Sequence, residues 1–424
     1  MVMEITEKQI KLSKNLYIWE AALEYFISIM VAGSFLATLT EKLGMSDALT
    51  GIISAFISLG YIFQLISIAI RPKRCKPLVL GLSIANQLLF TLLFVIPLPE
   101  KSNMLLKVVF VATILLAYLL YYIAHPKKIN WFMSLIDDKE RGLFTANKEI
   151  VSLFLGMIFS FGMGAVVDYF KAKGEISNAL ILCAVTMFVL TILHTLTMAF
   201  SVEKVNTDIK SENFLKSVKS LIKDPNILKV SLLFVLWNIA NYSTTPFLAT
   251  YNLHDLGFSL TLITIFTALG SLARISISRF WGAYADKHSF AQMDLLCFGV
   301  AVVAFFFVAI SGPENGYFTM AGYNILIAMA YGGINSSMIN LVFDFVSEEK
   351  RADSLAITQV LGGLAGFVTT LAISPFIDYV QKNNNSLFGL SVYAQQITAA
   401  ISLILSIVCI VYTKLVLIKP RNPT

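Results

Sequence analysis

The sequence predicts an all-α integral membrane protein, with twelve transmembrane helices in two pseudo-symmetric six-helix bundles. Three observations carry this expectation: a composition foreign to water, apolar runs of membrane length from end to end, and an internal repeat at about half the chain length. Of the 424 residues, 57% are hydrophobic and only 14% charged, with mean hydropathy +0.75. Water-soluble domains carry about 25% charged residues. An apolar run of about 20 residues crosses a hydrocarbon core of about 30 Å. Such runs occupy residues 16 to 39, 48 to 70, 77 to 98, 104 to 136, 142 to 168 and 178 to 200, then 229 to 250, 259 to 281, 290 to 311, 317 to 346, 353 to 379 and 391 to 418.

The first run is too long for a signal-peptide core, lacks a small-residue cleavage site and follows Lys8, Lys11 and Lys14, so it is retained as the first span. Cys75, Cys183, Cys297 and Cys409 are scattered, with no paired spacing for a disulfide framework or a thiolate metal site. The net charge of +6 does not form one patch, which argues against nucleic acid as a partner. Its Lys and Arg residues concentrate in alternate loops and at both ends. By the positive-inside rule those loops and both termini face the cytoplasm of a cell membrane, which agrees with an even number of spans.

The repeat is ungapped over a long segment. Residues 137 to 170 align on residues 347 to 380, pairing Arg141 with Arg351, Ala146 with Ala356, Gly156 with Gly366, Asp168 with Asp378 and Tyr169 with Tyr379. Phe35 to Thr38 recurs as Phe247 to Thr250, each copy followed by Leu-Gly. A shared offset of half the chain indicates duplication. The expected organisation is an N-terminal bundle (1–200), a cytoplasmic linker (201–228) and a C-terminal bundle (229–424). Within the linker, Phe214, Leu215, Val218, Leu221 and Ile222 fall on one helical face and Lys216, Lys219 and Lys223 elsewhere. Two readings fit: a helix lying on the membrane surface, or a solvated linker.

The chain resembles the major facilitator superfamily over nearly its full length. Between the eighth and ninth spans, Arg279-Phe280-Trp281-Gly282-Ala283-Tyr284-Ala285-Asp286-Lys287 is similar to the family's loop motif G-x-x-x-D-[RK]-x-G, with Ser289 in place of the second glycine. The corresponding first-half loop, Arg71 to Lys76, keeps the positive charge without the glycine or aspartate. Marks of sugar porters and drug antiporters are missing, so the subfamily stays open. No phosphate loop accompanies the spans, so an ion or solute gradient supplies any driving force. The resemblance implies that Asp286, with Gly282 and Lys287, locks against the start of the fifth span near Arg141 in one conformation. An exposed lock of this kind is worth about 1 kcal/mol or less. The alternative for Asp286 is a solvated loop position.

Charges inside the spans mark candidate site residues. Glu24 lies ten residues beyond Lys14, which at 1.5 Å per residue is about 15 Å deep. Lys127 and Lys128 reach a similar depth when counted back from Asp137. A charge at a helix centre costs about 2.5–3.5 kcal/mol, so these groups are expected to pair or face water. The resemblance implies that the first, fourth, seventh and tenth spans line a central cavity. Polar stripes agree: Glu20, Glu24 and Ser28; Tyr121, His125 and Lys128; Asn238, Asn241 and Thr245 with Trp237 beside them; and Tyr331 with Asn335. Glu24 is the leading proton- or cation-binding carboxylate, with His125, Lys127 and Lys128 as partners or as anion-binding groups. The competing reading is a permanent ion pair holding two helices together. Glu20, Lys148 and Glu149 stand nearer the edge, where snorkelling is an equal reading. His125 precedes Pro126 and fits either a site or a kink. Arg274 fits an anion-binding group or an interfacial one. His194, His254 and His288 show no metal-ligand spacing.

Three function classes follow from these features. The first is a secondary transporter, which takes a small solute and a proton or other ion, needs no cofactor, sits among lipid and functions as a monomer. The second is a membrane-embedded enzyme using the same acid-base groups. The third is a non-transporting sensor.

Overall fold

A computed structural model describes residues 6–70, 74–99, 102–136, 141–204, 224–345 and 351–418. The linker-helix expectation falls largely on residues outside these. The first span is a bent pair, α1 (Glu7–Met30) and α2 (Gly33–Lys42), turned by 40° at the break. There Gly33 holds φ +52°, a conformation that favours glycine. The succeeding spans are α3 (Asp47–Ser67), α4 (Lys76–Val95), α5 (Met104–Met133), α6 (Arg141–Ala172) and α7 (Ile176–Phe200). After the linker come α8 (Pro225–Tyr242), α9 (Leu260–Lys287), α10 (Phe290–Ala309), α11 (Gly316–Phe345), α12 (Arg351–Lys382) and α13 (Ala394–Tyr412). The seventh span extends past α8, through a 3₁₀ turn at Thr245–Phe247, to Asp255. Among the described residues, 11 helices are long and apolar enough to cross a membrane, or 12 with the bent pair counted as one span.

Side-chain caps set several helix starts. Ser46 accepts from the Leu49 amide ahead of α3, and the Asn103 carboxamide accepts from Leu106 ahead of α5. Ser289, where the loop motif has its second glycine, has φ 179° and accepts from the Gln292 amide. That extended backbone needs no glycine, and the hydroxyl supplies a cap to α10. The expected loop around Asp286 is instead the last turn of α9. Outward faces are apolar: Phe154, Ile158 and Phe161 recur at helical spacing along α6 and are all exposed, as expected of side chains meeting lipid.

The chain forms two compact units. Unit 1 comprises residues 1–45, 63–211 and 259–264; unit 2 comprises residues 46–62, 212–258 and 265–424. The second span changes unit near its 3₁₀ turn, Tyr61–Phe63. In unit 1, Tyr17 stacks on Phe132 at 4.3 Å and packs with Trp131, Leu135, Val79 and Met198.

The aligned glycines have equivalent uses. A Cβ at Gly156 in α6 would fall 2.3 Å from a ring carbon of Tyr25 in α1, and one at Gly366 in α12 would fall 2.8 Å from the ring of Tyr242 in α8. In each unit an aromatic ring of one helix lies directly on the backbone of another. Gly156→Val therefore overpacks the α1–α6 contact, with an expected loss of about 1–3 kcal/mol. A thermal midpoint equal to that of the parent protein in detergent would remove this contact from the account.

Candidate functional site

The charged residues of the first span meet those of the fourth inside unit 1. Lys128 in α5 is buried; its Nζ lies 2.6 Å from Glu20 Oε1 and donates a short hydrogen bond to Glu24 Oε2. Glu20 and Glu24 stand one helical turn apart on α1, so a single ammonium bridges both carboxylates. His125, one turn before Lys128, places Nδ1 3.4 Å from Glu24 Oε1 and stacks on Tyr121 at 4.7 Å. The helix runs unbroken through Pro126.

Glu20 is 0% exposed, so the snorkelling reading does not hold for it. Its Oε1 also bonds Nε2 of His194 at 2.9 Å, and His194 Nδ1 lies 2.8 Å from Nε2 of Gln87 in α4. An amide nitrogen only donates, so Nδ1 accepts and Nε2–H donates to Glu20. Both ring nitrogens of His194 are thereby hydrogen-bonded. Lys128 offsets one of the two carboxylate charges. Among the described residues no second ammonium bonds the pair; His125 faces Glu24, and Lys148 acts on both carboxylates through space. Glu20, Glu24 and His194 offer three ligand atoms within 4.8 Å of one another, a set suited to a cation, and the ammonium of Lys128 already bonds both carboxylates of that set. Beside the cluster lies a cavity of about 30 Å³, lined by Glu24, Ser83, Asn86, Gln87, His125 and Lys128 among others. A cavity of this size admits water and not an organic solute.

Lys127 serves elsewhere. Its Nζ donates to the carbonyls of Ser67, at 2.7 Å, and Ile70, where the second span ends. A cation there satisfies helix-end carbonyls and the helix dipole. Lys148 donates to the Tyr17 hydroxyl at 3.2 Å, and its ammonium lies over the Tyr17 ring at 4.6 Å.

A different surface occupies unit 2. Trp237, Asn238 and Asn241 of α8, Tyr331 and Asn335 of α11 and Gln359 of α12 line a cavity of about 340 Å³. Tyr61 and Tyr242 complete its aromatic part. Tyr331 donates to Asn241 Oδ1 at 2.5 Å, and Asn238 Nδ2 donates to the Phe234 carbonyl at 2.9 Å. Trp237 is nearly buried, its ring 5.3 Å from Phe298 and edge-on to Tyr331 at 6.1 Å. Arg274 is not among the lining residues; it packs beside α11, where a Cβ at Gly332 would meet its Cγ at 3.3 Å. Gly282, Asp286 and Lys287 are exposed at the end of α9, and the Arg141 side chain lies outside the described ones.

The first sequence half also meets the second inside each unit. In unit 1, Asp168 of α6 accepts from the backbone amides of Leu260 at 3.0 Å and Thr261 at 2.6 Å, and from the Thr261 hydroxyl. It thus caps α9 from another helix. In unit 2, Asp47 accepts from Gln381 Nε2 and lies 2.8 Å from His254 Nδ1, while the Ser374 hydroxyl donates to the Ala48 carbonyl. Asp168→Ala is expected to lower the thermal midpoint, at a cost of about 1 kcal/mol for the lost cap. An unchanged midpoint would mean that solvent replaces this contact freely.

Helices of membrane length, with a buried charge cluster in unit 1 and a polar chamber in unit 2, define a multi-pass membrane protein. The family model of the Major Facilitator Superfamily matches residues 21–370, and the chain belongs to that family. Solved structures of the same fold include the nucleoside transporter NupG, with 13% identity, TM-score 0.69, and coverage of 95% of this chain and 99% of that one. The POT family transporter PepTSo is 12% identical, with TM-score 0.70 and coverage of 97% and 98%. A bacterial homolog of the human lysosomal transporter Spinster is 12% identical, with TM-score 0.68 and coverage of 96% and 97%. At such identities the likeness is one of fold. A search of curated proteins finds no match.

Proposed function

We propose that this chain is a secondary active transporter that moves a small organic solute by alternating access, coupled to a proton held at the Glu20–Glu24–Lys128–His194 cluster. The observation that carries the reading is the make-up of that cluster: two carboxylates sharing one bonded ammonium, with the imidazoles of His194 and His125 against them, beside a water-sized cavity. Glu24, the partly exposed carboxylate of the pair, is the entry group, and His194 is a second acceptor. On protonation its Nδ1–H would need an acceptor, and Gln87 Oε1, which has no partner among the described residues, becomes one by rotation of the amide.

Asp168 with the start of α9, and Asp47 with Gln381 and His254, are contacts between the sequence halves that would open and close during a cycle. Asp286 with Gly282, Lys287 and Arg141 would form the opposing lock. The basic bias of alternate loops supports a cell-membrane location with both termini cytoplasmic, among lipid and as a monomer. The test is transport by the purified protein in liposomes. A stabilising solute is first selected by thermal shift from a metabolite panel at two pH values, and its counterflow and gradient-driven uptake are then followed. Counterflow together with accumulation against a gradient supports the reading; binding with neither points to a sensor.

A further inference from the structure

The two cavities differ in chemistry as well as size, and the larger one limits what the protein carries. We propose that the unit 2 chamber binds an uncharged solute built on a flat ring with adjacent hydrogen-bond donor and acceptor groups, of the nucleobase or nucleoside type. This rests on the transporter reading above and deepens it.

None of the residues lining the chamber carries a formal charge. An ionised solute entering it would lose hydration without gaining a counter-ion from that lining. Hydrogen-bonding capacity is nevertheless plentiful. Asn335 and Gln359 make no side-chain hydrogen bond among the described residues, and the Asn241 and Asn238 amides each use one end on Tyr331 and on the Phe234 carbonyl. A side-chain amide presents one donor and one acceptor side by side. That pair matches the edge of a lactam or an aminopurine, as when Asn or Gln pairs two-fold with adenine. Aromatic side chains, Tyr61, Trp237, Tyr242 and Tyr331 among them, supply most of the remaining wall, with Met338 and Gly363. Such rings favour a flat π-system, on which a base stacks. The volume, about 340 Å³, lies within the usual range for small-molecule sites, about 300–1,000 Å³. The division of labour is then physical: the proton goes to the charged cluster, where no solute fits, and the solute to a chamber without titratable carboxylates.

The experiment measures binding and transport separately. Detergent-purified protein is titrated with uridine, adenosine, glucose and dialanine, and binding is read by thermal shift and by tryptophan fluorescence. Uridine or adenosine is expected to bind, and dialanine and glucose are not. Gln359→Leu and Asn335→Ala, each with an unliganded midpoint close to that of the parent, are expected to weaken nucleoside binding at least tenfold. The inference is overturned if neither nucleoside binds, if dialanine or glucose binds in preference, or if both chamber variants bind nucleoside like the parent. Nucleoside binding without counterflow in liposomes would instead overturn the transporter reading and leave the chamber's selectivity standing.

Discussion

Lys128→Met is expected to be the most destabilising single substitution in the first unit. The ammonium bridges two buried carboxylates, and removing it leaves both without the ammonium that bonds them. Breaking a buried ionic contact in this way costs about 3–5 kcal/mol, much of it from the charge left behind. A large fall in thermal midpoint, or loss of monodisperse protein, is the expected reading. The cause is separable from simple loss of packing, because methionine nearly matches the lysine stem in length. Adding Glu20→Gln and Glu24→Gln to Lys128→Met neutralises the whole cluster and should recover most of the midpoint. If Lys128→Met alone melts with the parent, or the triple variant is no better than the single one, the cluster is not held by charge.

Glu24→Gln is expected to separate coupling from carriage. The substitution keeps the size of the side chain and leaves Lys128 paired with Glu20, but removes the carboxyl that would take the proton. Solute binding and counterflow should persist, while accumulation driven by a pH gradient should fall to the level of a passive carrier. The pH profile of transport should flatten with it. A pH dependence identical to the parent's would place the proton somewhere other than Glu24.

Much of this arrangement is legible in the residues. Depth counting along two apolar runs brings Glu24 level with Lys128, and the structure pairs them. The repeat that aligns Gly156 with Gly366 singles out two positions where a tyrosine lies on backbone. Other features were hidden for physical reasons. Lys127 and Lys128 are adjacent in sequence but separated by about 100° around the helix, so one caps the second span and the other enters the cluster. Glu20 stands nearer the edge in sequence, yet it is buried on α1 one turn from Glu24, because Lys128 and His194 draw it into the bundle.

His194 and Gln87 sit on the sixth and third spans, outside the four helices that the family resemblance assigns to the cavity, and neither falls into a ligand spacing. The available signal was a titratable side chain in mid-span, which by cost alone marks a functional position. Tyr61 and Gln359 were missed for the same reason, since the second and eleventh spans reach the chamber from the side. Motif reading also misplaced Asp286, because a loop pattern was carried onto what is the last turn of a helix.

The most direct measurement is steady-state solute accumulation in liposomes containing the parent protein, recorded against an imposed pH difference with and without a protonophore. A cluster that must take up one proton per cycle requires accumulation to climb with the pH difference and to collapse when the protonophore dissipates it. Accumulation that stops at equal concentrations inside and out, whatever the pH difference, would contradict proton coupling at these four side chains.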